Sequence, residues 1–226
     1  DLDRPHQHVT PDNSELPARL AAFELAFRMQ SSAPEAVDLT KETEPVKKLY
    51  GLDDPRTQKF GTKCLLARRL VERGVRMVQI YTGAGQPWDD HGDIKAHSGK
   101  AKQVDRPIAA LLKDLKAKGL LKDTLVLWGG EFGRTPTSEG AKGRDHNNHG
   151  FTVWLAGAGV KKGYSHGATD ELGYKAIDPI YTVHDFHATV LHLLGLDHER
   201  LTWYHNGIRR RLTDVHGHVI KDILAG

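Results

Sequence analysis

The sequence predicts an α/β fold, a mostly parallel sheet flanked by helices, and three observations carry that prediction. Short, almost wholly apolar runs at residues 75–81, 124–128 and 151–156 read as buried strands. A long helical pattern separates the first two, which is the signature of a parallel crossover. Polar, His-rich stretches follow the strands, where ligands collect in such sheets. The 226 residues suit one domain with an extension. They divide into a helical lead-in over 1–60 and an α/β part over 61–226.

The elements follow in order. Residues 1–13 are polar and Pro-bearing. Ser14 can cap a helix to about Gln30, with Leu16, Leu20, Phe23 and Phe27 on one face. Short helical pieces broken by Pro34, Pro45 and Pro55 lead to a longer helix over about 56–73. Phe60, Cys64, Ala67 and Val71 mark its buried stripe, and Gly74 ends it. After the first strand comes a loop, then a helix to about Lys118 whose apolar face is Val104, Ile108, Leu111, Leu112 and Leu115, with Pro107 kinking or starting it. Gly119 stops this helix. The loop over 129–150 is long enough to be functional. Thr182 caps a further helix to about Leu194 with Asp185 at its third position, and Gly195 closes it. Residues 211–215 and 218–223 flank Gly217 as a possible hairpin.

Composition narrows the function. Charged residues at 27% and hydrophobic residues at 38% describe a globular chain. The net charge of +3 comes from 32 basic and 29 acidic side chains, interspersed, and gives no case for nucleic acid as a partner. The Arg run at 209–211 reads as a solvated turn. No apolar run approaches the roughly 18 residues of a membrane span. The single cysteine, Cys64, lies in an apolar stripe and reads as core. The 14 histidines are the anomaly.

Three loops carry the candidate chemistry. In Trp88-Asp89-Asp90-His91-Gly92-Asp93, carboxylates beside an imidazole suit zinc or manganese; the alternative is a solvated turn with Asp93 capping the next helix. In Gly130-Glu131-Phe132-Gly133-Arg134, Glu131 is the first ionisable group after a buried strand, and Arg134 suits a bidentate grip on phosphate or sulfate. A surface pair between the two is the alternative. In Asp145-His146-Asn147-Asn148-His149, Asp145, His146 and His149 are three potential ligands, with flexible polar surface as the alternative. His184, His187 and His192 read as structural histidines of a helix. His166, His205, His216 and His218 are kept out of the site.

Two stretches resemble a known superfamily. Residues 108–133, through Leu121-Lys122-Asp123-Thr124-Leu125-Val126-Leu127-Trp128, look like the helix-to-strand passage of alkaline phosphatases, metal-dependent phosphoglycerate mutases and sulfatases. Residues 182–196 are similar to a later helix of theirs. More closely, Cys64-Leu65-Leu66-Ala67-Arg68-Arg69-Leu70, Gly130-Glu131-Phe132-Gly133-Arg134-Thr135-Pro136, Gly143-Arg144-Asp145-His146 and His166-Gly167-Ala168-Thr169-Asp170 resemble a bacterial, sulfatase-like family, domain of unknown function 1501. The likeness runs from about Ser14 to Ile223.

The resemblance implies an alkaline-phosphatase-like fold with one or two divalent metal ions (zinc, manganese or calcium) at the sheet end. By position, Glu131 stands for an aspartate ligand, Phe132 replaces a neighbouring His or Asn ligand, and Asp89 substitutes for an aspartate where this chain has Pro87. His146 or His149 takes the part of the late histidine ligand. The superfamily's first strand carries a metal-binding aspartate and a hydroxyl or modified-cysteine nucleophile. Nothing in residues 1–60 resembles it, so the chain reads as the C-terminal part of a longer protein, lacking its N-terminal strands. The implied function is metal-dependent hydrolysis of sulfate or phosphate esters, with an anionic ester such as a sulfated glycan as substrate. The competing reading is a non-catalytic scaffold that binds an anionic glycan or a protein. Family likeness also implies export, since relatives often carry twin-arginine signals.

Overall fold

A computed structural model describes residues 15–83 and 85–225. The chain divides into two compact units, Asp1–Ile80 and Tyr81–Gly226. The boundary expected at residue 60 falls inside a continuous helix.

The first unit is helical. Helix α1 (Glu15–Val37) is rich in strong helix formers and runs on through Pro34, past the expected break. The shared apolar face is not buried at Phe23 and Phe27, which are 69% and 74% exposed, and the Leu16 side chain lies outside the described residues. What ties α1 down is its last turn, where Ala36 is buried. Helix α2 (Glu44–Leu49) carries Pro45 in its first turn, where a missing N–H costs nothing. Helix α3 (Gln58–Glu72) buries Phe60, Cys64, Leu65 and Ala67. Gly74 adopts φ +84° beyond its end, as a C-terminal cap requires.

Two arginines of α3 are buried as well. Arg69 donates from Nε to the carbonyl of Ala36 at 2.7 Å and from Nη2 to that of Glu35 at 2.7 Å, and pairs through Nη1 with Glu42. It thereby satisfies carbonyls that the end of α1 would leave without partners. Arg68 pairs with Glu42 at 2.8 Å and Glu72 at 2.6 Å. Burial pushes the Glu42 carboxyl up, but the two guanidiniums outweigh it and hold its pKa below the ordinary value.

The second unit contains helix α4 (His97–Ala117), strands β1 (Val126–Trp128), β2 (Gly133–Arg134), β3 (His146–Asn147), β4 (Trp154–Ala156), β5 (Ala168–Thr169) and β6 (Ala176–Asp178), helix α5 (Val183–Leu193), and strands β7 (Thr202–His205) and β8 (Ile208–Arg211). α4 is unbroken across Pro107, which is buried with Val104, Ala110, Leu111 and Leu115 along one face. Each fully buried leucine contributes about 1.5–3 kcal/mol. α5 opens with the expected capping box between Thr182 and Asp185. Its buried Thr189 donates to the carbonyl of Asp185 and accepts from the Ile220 amide, fastening the C-terminal segment to the helix. No helix among the described residues is long and apolar enough to cross a membrane.

The strands pair antiparallel in four two-stranded sheets: β1 with β4, β2 with β3, β5 with β6, and β7 with β8. The second and third expected strands thus share one sheet. Residues 75–81 form no ladder, and the parallel contact among the described residues is one isolated bridge between Asp93 and Lys142. The C-terminal hairpin is displaced from its expected place. Its turn is Asn206-Gly207, with φ +49° and +80°, and its strands are β7 and β8. Two consecutive positive φ values match the right-handed strand twist, and Asn-Gly is the dipeptide that adopts them most cheaply. The Arg run at 209–211 lies on β8, not in a turn.

Candidate metal centre

The long segment between β1 and β4 carries one side of the site, and the loop of residues 89–94 carries the other. β2 and β3 form a hairpin in which Arg134 lies opposite His146 and Gly133 opposite Asn147. Within it a tighter turn closes, where Glu139 and Gly143 exchange both backbone hydrogen bonds at 3.1 Å. Gly140 at the tip has φ +59°. This inner turn lies on the loop of residues 89–94: the Ile94 amide donates to the Lys142 carbonyl and the Arg144 amide to that of Asp90. Gly143 is buried against His91, and a Cβ there would overlap the His91 carbonyl oxygen. Glycine is what lets the two loops touch.

The 89–93 loop sends alternate side chains to different tasks. Asp90 pairs with Lys100 and with His97 Nε2 at 3.0 Å, tying the loop to α4. Asp93 caps the 3-10 turn Ile94–Ala96 through the Lys95 amide, the structural role open to it. Trp88 donates to Thr82 at 2.7 Å and packs edge-on against His97. Asp89 and His91 are left facing the β2–β3 hairpin.

There Asp89 Oδ1 is a focus. His91 Nε2 lies 2.8 Å from it, His146 Nε2 2.9 Å and Arg134 Nη2 2.7 Å. The two imidazole nitrogens are 3.2 Å apart. On its other side, His91 Nδ1 meets Glu139. The Phe132 ring stacks on His146, with centroids 4.1 Å apart, and Arg134 sits over the same ring at 5.6 Å. Hydrogen bonds from His146 and then Arg134 hold the Asp89 carboxyl down to about 2, so it is ionised at neutral pH. The Glu139 hydrogen bond, helped by the charge of Asp89, raises the pKa of His91.

Two ligand groups result, sharing His91. One is Asp89, His91 and His146; the other is His91, Glu139 and Asp145, and within each the donor atoms lie within 4.8 Å of one another. Of the residues expected from the sequence, Asp89, His91, His146 and Asp145 are drawn together, with Arg134 in contact. Glu131 and His149 stand in neither group. Glu131 is exposed. His149 is turned away because buried Asn147 pins the backbone, bonding the Tyr174 carbonyl and the His149 amide, while the His149 ring stacks on Tyr174. Two histidines three apart therefore diverge. Arg134 also donates to the carbonyls of Trp88 and Arg144, so it holds the two loops together.

Glu139 was not among the sequence candidates. The only signal for it is the following glycine, which marks a turn able to fold that carboxylate back. Cys64 stays outside the site: burial pushes its thiol up to about 12, which suits core and not a nucleophile. His166 bonds Tyr181, and His184, His187, His192, His205, His216 and His218 belong to no ligand group among the described residues.

No curated protein and no solved structure matches the chain. The family described as "Protein of unknown function (DUF1501)" matches over residues 1–224. With nearly its whole length matched, the chain belongs to the DUF1501 family.

Proposed function

We propose that the chain carries the cation-binding part of a metal-dependent hydrolase of sulfate or phosphate esters, on an alkaline-phosphatase-like scaffold. Asp89, His91 and His146 would hold the ion. The observation that carries this reading is the crowding of donors on Asp89 Oδ1. His91 and His146 both turn Nε2 to one ionised carboxylate oxygen, at 2.8 and 2.9 Å, and with Glu139 accepting a hydrogen bond from Nδ1–H a neutral His91 would offer Nε2 as a lone-pair donor. Two imidazole nitrogens and a carboxylate oxygen gathered at such separations are a set that one cation would hold, beside the charge Arg134 already brings to Asp89.

The donor set would need to open by only about 0.1–0.5 Å to take a tetrahedral ion. Its three separations are 2.8, 2.9 and 3.2 Å. A tetrahedral ion with bonds of about 2.0–2.1 Å needs edges of about 3.3 Å. Three protein donors leave a fourth position open, the pattern of catalytic sites as against structural ones. A cation there supplies Lewis-acid polarisation of an ester oxygen. Arg134 keeps Asp89 ionised, and its guanidinium, in contact with this donor set, would suit the oxygens of a sulfate or phosphate group.

The test is titration with zinc, then with inorganic phosphate or sulfate. Zinc binding that weakens in Asp89→Asn, followed by anion binding that needs zinc and is lost in Arg134→Gln, supports the reading. Anion binding indifferent to both zinc and Arg134 rules out the hydrolase geometry. That outcome favours the non-catalytic scaffold, for which the exposed Glu131 and the aromatic Phe132 at ligand-like positions already speak.

A further inference from the structure

We infer that Glu139 is a positioning residue that makes this centre select a zinc-type ion over calcium. The inference rests on the reading above that Asp89, His91 and His146 hold a cation. Each ring nitrogen of His91 faces a different group: Nδ1 meets Glu139, and Nε2 faces Asp89 and His146. A neutral imidazole has one lone pair to give. Glu139 decides which nitrogen gives it, because a carboxylate accepting a hydrogen bond from Nδ1–H favours the tautomer that leaves Nε2 free.

The consequence is chemical. With the lone pair on Nε2, the donors are two imidazole nitrogens and one carboxylate oxygen, a set that suits zinc and related transition ions. With the lone pair on Nδ1, the available group would be His91, Glu139 and Asp145. That set has two carboxylates and one nitrogen, and hard, oxygen-seeking calcium is the ion that tolerates it better. Glu139 therefore stands outside the zinc-type group as the acceptor that orients it. Its backbone is held without an ion, since its N–H and C=O are both bonded to Gly143.

The experiment is binding of zinc and of calcium to the full chain, measured separately by calorimetry. The proteins are the unmodified chain, Glu139→Gln, Glu139→Ala and Asp89→Asn, with circular dichroism confirming the fold of each. The unmodified protein is expected to bind zinc ~100-fold or more tighter than calcium. Both Glu139 variants should bind zinc about 10–100-fold more weakly, the usual loss when the acceptor behind a ligand histidine is removed. Their weak calcium binding should be unchanged, so the zinc-to-calcium ratio falls, a readout that loss of fold alone would not give. Zinc binding lost in Asp89→Asn but indifferent to Glu139 overturns this inference and leaves the cation site standing. A preference for calcium, abolished in Glu139→Ala and untouched in Asp89→Asn, overturns it by placing the ion on the other side of His91. No binding of either ion by the unmodified chain overturns both readings.

Discussion

The Nε2 atoms of His91 and His146 stand 3.2 Å apart across the same carboxylate oxygen of Asp89. The residues come from two loops 55 positions apart in sequence, and they meet because Gly143 lets the inner turn of the β2–β3 hairpin lie on the 89–94 loop. Replacing either histidine removes one of three donors. His91→Ala and His146→Ala should each weaken zinc binding by more than the roughly 10–100-fold expected for an outer residue. His149→Ala and His192→Ala should leave it unchanged, because neither ring reaches the ligand groups. Equilibrium dialysis with zinc on the four variants checks this, and an effect of His149→Ala as large as that of His146→Ala would count against the assignment.

What could be read in the sequence depended on how local the signal was. The helices α3, α4 and α5 were legible because apolar spacing, a capping Thr182 with Asp185, and terminal glycines act over a single turn. Helix α1 runs past its expected end near Gln30 to Val37. Phe23 and Phe27 have helical spacing, but a stripe tells only that a face is apolar, not what covers it. Residues 75–81 have strand composition, yet a strand exists only with a ladder partner, which composition cannot supply. The Asn206-Gly207 hairpin is legible in its turn dipeptide, outside the expected hairpin at residues 211–223. At the site, Asp89, His91 and His146 could be named from residue type and loop position. Their separation from Asp90, Asp93 and His149 could not, since it turns on Lys100, the Lys95 amide and buried Asn147.

Gly143 offers a direct test of loop contact. In Gly143→Ala the new methyl group meets the His91 carbonyl, a backbone atom that cannot rotate aside. The loops must separate, so the variant should lose zinc affinity although no ligand is altered. Overpacking of this kind costs about 1–3 kcal/mol, which a denaturant melt of the purified variant would show as a lowered midpoint. Gly140→Ala, at an open position with positive φ, should cost less and leave zinc affinity nearly intact.

Arg69 governs the first unit. Its guanidinium serves the carbonyls of Glu35 and Ala36 and the carboxylate of Glu42, all from a side chain only 6% exposed. Arg69→Met removes the charge and leaves Glu42 partnered by Arg68 alone. A loss of about 3–5 kcal/mol is expected, the usual result of breaking one side of a buried pair. Arg73→Met removes a more exposed pair with Glu35 and should change stability by about 1 kcal/mol or less. Chemical denaturation of both variants, followed by helix signal, distinguishes the two. The same melts can be followed with a thiol reagent: Cys64, buried and with its pKa pushed up to about 12, should react only as the helices open.

Asp185 ties the start of α5 to the C-terminal segment, and it makes that junction sensitive to acid. Burial pushes its carboxyl up, but hydrogen bonds from the Thr182 amide and hydroxyl and from the His218 amide outweigh burial, and the folded pKa falls below the ordinary value. A group whose folded pKa is depressed binds protons more readily unfolded than folded. Its stabilising contribution is therefore complete above the unfolded pKa of about 3.9 and fades as pH falls through the lower folded value. Unfolding followed through the second unit should thus show a stability that is flat in this respect near neutrality and declines below about pH 4. Asp185→Asn keeps the shape but cannot ionise, so it should start less stable at neutral pH and show a shallower decline in acid. Thr182→Ala removes the partner cap and should cost about 0.5–2 kcal/mol. Because Thr182 and Asp185 bond each other, the double variant should lose less than the sum of the two single losses. Equal pH slopes for the unmodified chain and Asp185→Asn would show that the acid sensitivity of this unit lies with another carboxylate.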